Sequence, residues 1–232
     1  MYYQLRQDSI HINRYYGITQ DPITKDFVII MEFYDSGDLS NYIIKTFYKV
    51  DWNYKLNHLN LIAIGLSKIH GKNIIHRDFH SGNILIKIKD LVQYKRTKIA
   101  DLGLSKSATE AEDNEIYGII PYMAPEILQG QKYASASDIY GFGMIMWECM
   151  TGRRPFWDRA HDTDLIIDIC DGLRPPIDDT VAPKDYIKLM KVCWDSDIRK
   201  RPTASDIKNT PVLLFCTSLV TRRKASFFDG EN

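Results

Sequence analysis

The sequence predicts an α+β fold in which the strands come early and the helices late. Three observations carry that expectation. Tyr15 to Phe33 reads as a hairpin, Trp52 to His70 carries apolar residues at three- and four-residue steps, and four more stretches of helical period follow from Ala136 onward. Of the 232 residues, 30 are Lys or Arg and 30 are Asp or Glu, while 44% are hydrophobic and 12% aromatic. That composition belongs to a folded chain with a substantial core and excludes a disordered tail, a collagen-like repeat or a coiled coil. A net charge of zero offers no general basic field to a nucleic acid or an anionic membrane.

Taken in order, Tyr15 to Gln20 forms the first strand, Asp21 to Asp26 the turn, and Phe27 to Phe33 the returning apolar run. Asp-Pro favours turn initiation. A short helix is expected after Ser36-Gly37-Asp38. In the long helix, Leu56, Leu59, Ile62, Ala63, Leu66 and Ile69 make the buried face, with Asp51 as N-cap and Gly71 as the C′ residue. Ile84 to Ile86 and Thr97 to Ala100 read as short strands flanking a polar connection through Lys87 to Asp90. Helices are then expected near 136–150, 163–171, 183–194 and from Ala204, punctuated by Gly152, Pro155, Pro175-Pro176, Pro202 and Pro211. Cys149, Cys170, Cys193 and Cys216 contain no C-x-x-C pair and read as ordinary buried small residues. MYYQLRQDS has no apolar signal region and Val212 to Phe215 is too short to cross a bilayer, so a cytoplasmic or nuclear protein without membrane insertion is expected.

The most informative string is His76-Arg77-Asp78-Phe79-His80-Ser81-Gly82-Asn83, set between the long helix and the strand Ile84 to Ile86. It fits the pattern H-R-D-x-x-x-x-N. Asp101-Leu102-Gly103 follows a strand, Ala124-Pro125-Glu126 closes the segment beyond it, and Asp138-Ile139-Tyr140-Gly141-Phe142-Gly143, Cys193-Trp194 and Arg201-Pro202 come in sequence after that. On these motifs the chain, from about Tyr15 to Lys208, resembles the large lobe of a eukaryotic protein kinase of the tyrosine-kinase-like group. The resemblance implies a protein-kinase-like α+β fold with a mainly helical C-lobe and a residual N-lobe β-hairpin. It divides the chain into residual small-lobe strands at 1–33, a C-lobe at 34–215 and a C-terminal tail at 216–232.

The resemblance also implies ATP and Mg²⁺ as cofactors and protein hydroxyls as acceptors, Ser or Thr foremost with Tyr left open. Asp78 would be the catalytic base, Asn83 and Asp101 would hold Mg²⁺, and Arg77 would anchor a phosphorylated activation segment. Met31 would be the gatekeeper of the hinge, Glu32 and Tyr34 would face adenine through their backbone, Asp38 would reach a ribose hydroxyl, and Leu85 would floor the pocket. Glu126 would pair with Arg201, and Asp138 would accept backbone hydrogen bonds from the catalytic loop. Ser105, Ser107, Thr109 and Tyr117 are the candidate phosphorylation sites. Protein substrates are the implied partners, with no nucleic acid and the oligomeric state left open.

The pattern departs from the family in two places. No glycine-rich loop and no Val-Ala-x-Lys precede the hairpin, so these parts are expected upstream of Met1, with a misplaced start favoured over a natural half-kinase. His80 stands where Ser/Thr kinases usually carry Lys, and neither Lys nor Arg occurs between Asp78 and Asn83. A catalytically silent scaffold on the same lobe is therefore the alternative function. His76 and His80 are spaced like zinc ligands, but Arg77 replaces the Glu that such a motif needs, which disfavours a metalloprotease.

Overall fold

The structure is a computed structural model and describes residues 10–88, 95–107 and 117–213. Strands β1 (Tyr15–Gln20) and β2 (Phe27–Met31) pair antiparallel, joined by a turn in which the Asp21 carboxylate accepts the N–H groups of Ile23 and Thr24. Helix α1 (Leu39–Thr46) follows, capped by Asp38, and α2 (Trp52–His70) is capped by Asp51, whose Oδ1 accepts the Tyr54 N–H at 2.9 Å. Two small antiparallel ladders flank the His76–Asn83 string: β3 (Ile74–Ile75) pairs with β6 (Lys106–Ser107), and β4 (Ile84–Ile88) pairs with β5 (Lys95–Ile99). The rest is helical: α3 (Pro125–Leu128), α4 (Ser135–Thr151), α5 (Thr163–Cys170), α6 (Lys184–Cys193) and α7 (Ala204–Lys208).

Asp51 gives a direct test of local coding. Asp51→Ala removes the acceptor for an otherwise unpaired N–H and should cost about 1 kcal/mol, lowering the melting temperature by about 2–4 °C. An unchanged melting curve would refute the cap.

Helix α4 is the axis of the core. It is apolar on every side from Ile139 to Met150 apart from Glu148, and Tyr140, Phe142, Met144, Ile145 and Met146 are all fully buried. A helix apolar all round must be wrapped by others. Helix α6 packs on it, while α2 packs on α7 and β5. Gly141 is required by space, because a Cβ there would overlap the Phe79 carbonyl oxygen. Thus the core helix is pressed directly against the backbone of the His76–Asn83 string. Gly152 ends α4 at φ +74°, and a side chain there would meet the Phe47 ring.

The long helix ends differently from the expectation. Gly71 has φ −64°, in the right-handed region, and the left-handed residue is Asn73 at φ +56°. The N–H groups of Lys72 and Asn73 donate to the Ile69 and His70 carbonyls, so the coil continues past Gly71 before it reverses. Asparagine is among the few side chains that tolerate that reversal. Cys149 and Cys193 are buried free thiols and Cys170 is half-buried, while Cys216 lies outside the described residues.

Candidate active site

The His76–Asn83 string begins directly after β3, and Asp138 of α4 holds its first turn. The Asp138 carboxylate accepts the N–H of His76 at 2.9 Å and of Arg77 at 3.0 Å, and His70 Nε2 lies 2.8 Å from the same group. Arg77 has φ +73° and Asp101 has φ +54°, conformations that cost non-glycine residues about 1 kcal/mol or more each. Both are tied down: Arg77 N–H donates to Asp138, and Asp101 N–H donates to Tyr15 Oη at 2.8 Å.

His76 is fully buried, with Nε2 3.0 Å from the Ala100 carbonyl. Burial lowers its pKa below the ordinary value, outweighing the pull of Asp138 and the Ala100 carbonyl, so the ring serves as a neutral strut. Asn83 Nδ2 donates to the Asp78 carbonyl at 2.9 Å and to its Oδ2 at 3.2 Å. Burial pushes the Asp78 carboxyl up, but His80, His76 and the Asn83 amide together outweigh it and hold the group below its usual pKa. Asp78 is therefore a carboxylate at neutral pH. It borders a small hollow of about 20 Å³, lined by Arg77, Gly118, Ile119, Tyr122 and Met123 among others.

Because the Asn83 nitrogen is turned to Asp78, its oxygen is left as the atom available to a cation. The exposed Asp101 carboxylate accepts the Gly103 N–H at 3.2 Å through Oδ1. One amide oxygen and one carboxylate are hard donors suited to a Mg²⁺ that keeps waters and binds phosphates, not to a closed protein cage. Among the described residues, no group of three or more His, Cys, Asp or Glu side chains could hold a metal.

Between the β1–β2 hairpin and α1, Asp38 and Leu85 meet in an antiparallel bridge, and Ile86 N–H donates to the Gly37 carbonyl. The Asp38 carboxylate caps α1, accepting the Asn41 N–H at 2.9 Å and its side-chain amide at 2.6 Å. Met31 is exposed, with its sulfur 3.2 Å from Asn13 Nδ2, and the buried Tyr34 donates its hydroxyl to Asn13 Oδ1 at 3.0 Å. Sequence reasoning missed the role of the Glu32 side chain, which meets Lys87 at 2.8 Å and Lys98 at 3.7 Å. The signal was there in the alternation of β4 and β5: Ile84, Ile86 and Ile99 face the core, which sends Lys87 and Lys98 to the opposite face with Leu85.

Farther out, Arg201 Nη1 and Nη2 donate to Glu126 Oε1 and Oε2 at 2.7 and 2.8 Å. Arg77 packs its guanidinium 4.4 Å from the Tyr133 ring centroid, and Tyr133 Oη both accepts the Tyr117 N–H and donates to the Tyr117 carbonyl. Ser105 requires a correction as a phosphorylation candidate. It is 5% exposed and its hydroxyl donates to the His76 carbonyl at 3.2 Å, so it is a buried brace under the His76–Asn83 string. Ser107 pairs with Ile74 in the β3–β6 ladder, and Thr109 lies outside the described residues.

The sequence profile described as protein tyrosine and serine/threonine kinase matches residues 3–210. The chain belongs to that kinase family. Three relatives illustrate the likeness. "Putative serine/threonine-protein kinase/receptor R818" of Acanthamoeba polyphaga mimivirus is 36% identical over 181 residues, covering 77% of this chain and 10% of that protein. "Probable serine/threonine-protein kinase roco5" of Dictyostelium discoideum is 33% identical over 196 residues, 80% of this chain and 7% of the other. "Ephrin type-B receptor 2" of Gallus gallus is 34% identical over 193 residues, 79% and 18% respectively. The kinase chain thus matches only about a tenth of the length of the first two relatives. No helix among its described residues is long and apolar enough to cross a membrane.

Proposed function

We propose that this chain is the large lobe of a protein kinase that transfers the γ-phosphoryl group of ATP to protein hydroxyls, Ser or Thr foremost and Tyr left open. Phosphoryl transfer passes through a loose transition state, so the protein's work is positioning and charge neutralisation. Asp78 accepts the hydroxyl proton of the substrate. Asn83 and Asp101 hold Mg²⁺, which when bound neutralises phosphate charge. Met31, the hinge backbone at Glu32 and Tyr34, Asp38 and Leu85 receive the nucleoside. Arg77, beside the Tyr117–Tyr133 pair, is the anchor for a phosphate on the activation segment, with Ser107, Thr109 and Tyr117 as the remaining candidates. The same proposal places a small-lobe hairpin in residues 1–33, the large lobe in 34–215 and a tail in 216–232.

The observation that carries the reading is the Asp78 carboxylate, held below its usual pKa and fixed through Oδ2 by Asn83 at the edge of a small hollow. A general base must be ionised at the working pH, fixed in orientation and within reach of the proton that it takes. Labelled ATP with Mg²⁺ and a generic protein acceptor tests it on the full-length protein. Asp78→Asn should lower transfer about a hundredfold or more. Equal signals from the two well-folded proteins would favour the rival reading, a silent interaction module, whose support is the imidazole of His80 in place of a fixed cation.

A further inference from the structure

We propose that His80 is a positioning residue for Asp78, acting as a neutral imidazole with its proton on Nε2. The inference deepens the kinase reading and rests on it. Three contacts define the ring. The Gly82 N–H donates to Nδ1 at 3.1 Å, so Nδ1 must offer a lone pair and the proton must sit on Nε2. The ring also lies tilted against Tyr122, with centroids 5.7 Å apart and planes at 47°. Nε2 stands 3.5 Å from Asp78 Oδ2.

The space for this arrangement is specific. A Cβ on Gly82 would fall 2.8 Å from His80 Cε1 and 2.9 Å from Nδ1, so only glycine lets the amide approach the imidazole. On the other side, Asp78 Oδ2 accepts the Asn83 amide at 3.2 Å and is faced by His80 Nε2 at 3.5 Å, while Oδ1 lies 3.5 Å from the position that a Cβ on Gly118 would occupy. Gly118 has φ +127° and no side chain to close that approach. The two oxygens therefore divide their tasks: Oδ2 is held by Asn83 and faced by the imidazole, and Oδ1 is the atom that meets an incoming hydroxyl. A lysine at position 80 would bring charge with a flexible reach, whereas the pinned imidazole brings direction.

The same ring connects Asp78 to the segment before Ala124-Pro125-Glu126. Tyr122, against which His80 lies, also places its hydroxyl 3.3 Å from Ser81 Oγ of the catalytic string. Asp78 orientation thus depends on the turn at Ile120–Tyr122 being in place.

The test compares full-length wild type with His80→Phe and His80→Gln. Phenylalanine keeps a ring against Tyr122 but has no nitrogen, and glutamine sets an amide N–H near the place of Nε2. His80→Phe should lower kcat about tenfold or more with KM for ATP within about twofold, and His80→Gln should recover to within about threefold of wild type. Unchanged kcat in His80→Phe, or a loss in His80→Gln as deep as in His80→Phe, overturns the proposal. A second readout does not need activity: imidazole ¹⁵N shifts at pH 8 should show the Nε2-protonated tautomer, with an Nε2 signal that moves in Asp78→Asn. A proton on Nδ1, or an Nε2 shift indifferent to Asp78→Asn, overturns it. If wild type shows no Asp78-dependent transfer, the kinase reading fails by itself while these spectra still decide the role of His80.

Discussion

Replacing Arg201 with alanine should lower the unfolding free energy by about 3–5 kcal/mol while leaving the turnover of each remaining folded molecule nearly intact. The guanidinium is fully buried and Glu126 is 5% exposed, so neither charge has water to fall back on. Arg201 makes the bidentate pair with Glu126 and also donates to the carbonyls of Ala136 at 3.0 Å and Asp195 at 2.8 Å. Truncation strands a buried carboxylate whose remaining donor is Ser137 Oγ at 3.1 Å, and it also strands two carbonyls. Leaving a buried charge unpaired costs far more than the net worth of the pair, so Glu126→Gln combined with Arg201→Met should lose less than the sum of the single changes. Most domains have only about 5–15 kcal/mol in hand, so the alanine variant should populate unfolded chains near its growth temperature. Urea denaturation of wild type and the four variants measures both effects. A loss under about 1 kcal/mol for Arg201→Ala would remove this pair from the list of structural supports.

The pair also explains why Glu126, one residue into α3, can hold the approach to the hollow. Met123 and Ala124, immediately before it, line the wall facing Asp78. That link spans 75 residues of sequence and rests on burial, which no local pattern displays; only the resemblance to the family brought it forward. Where pattern and physics are local, the sequence was readable. The face of α2 and its Asp51 cap follow from period and cap chemistry, and β1, β2, α4, α5 and α6 lie within a residue or two of their expected bounds. The β3–β6 ladder escaped because two-residue strands are too short to show alternation, and the four-residue α3 is too short to show a helical face. At the candidate site, the structure brings Asn83 onto Asp78, as their closeness in one short string predicts, and Asp101 follows one strand pair later. The Glu32 cluster left only a partial signal in the alternation of β4 and β5, since the pairing also needs their register, and the His80 contacts left none, because they depend on which ring nitrogen meets which amide.

Glu148 is the other position where a single change should have a large effect, and the effect is set by pH. It is the one charged residue between Ile139 and Met150, it is 2% exposed, and Ser40 Oγ donates to it at 3.4 Å. Burial pushes its carboxyl up to about 7, against the opposing influence of Ser81, Tyr122, Arg154 and Ser40. A carboxyl with a folded pKa above its unfolded value binds its proton more tightly in the native state. Stability from this group is therefore fully present below about pH 4.5, declines as the pH rises, and is lost once the pH passes about 7. The span between the two values corresponds to about 3 kcal/mol. Glu148→Gln keeps a neutral side chain of the same shape, so the stability of the variant relative to wild type should rise by about that amount between pH 4.5 and pH 8. Urea midpoints at several pH values isolate the effect, since every other titrating group is common to the two proteins. A difference that stays flat with pH would mean that water or a cation reaches Glu148 in solution. Because Ser81 lies in the catalytic string and Tyr122 carries the ring against His80, ionisation of Glu148 also loads charge behind the imidazole facing Asp78, so Glu148→Gln should flatten any loss of rate that wild type shows above pH 7.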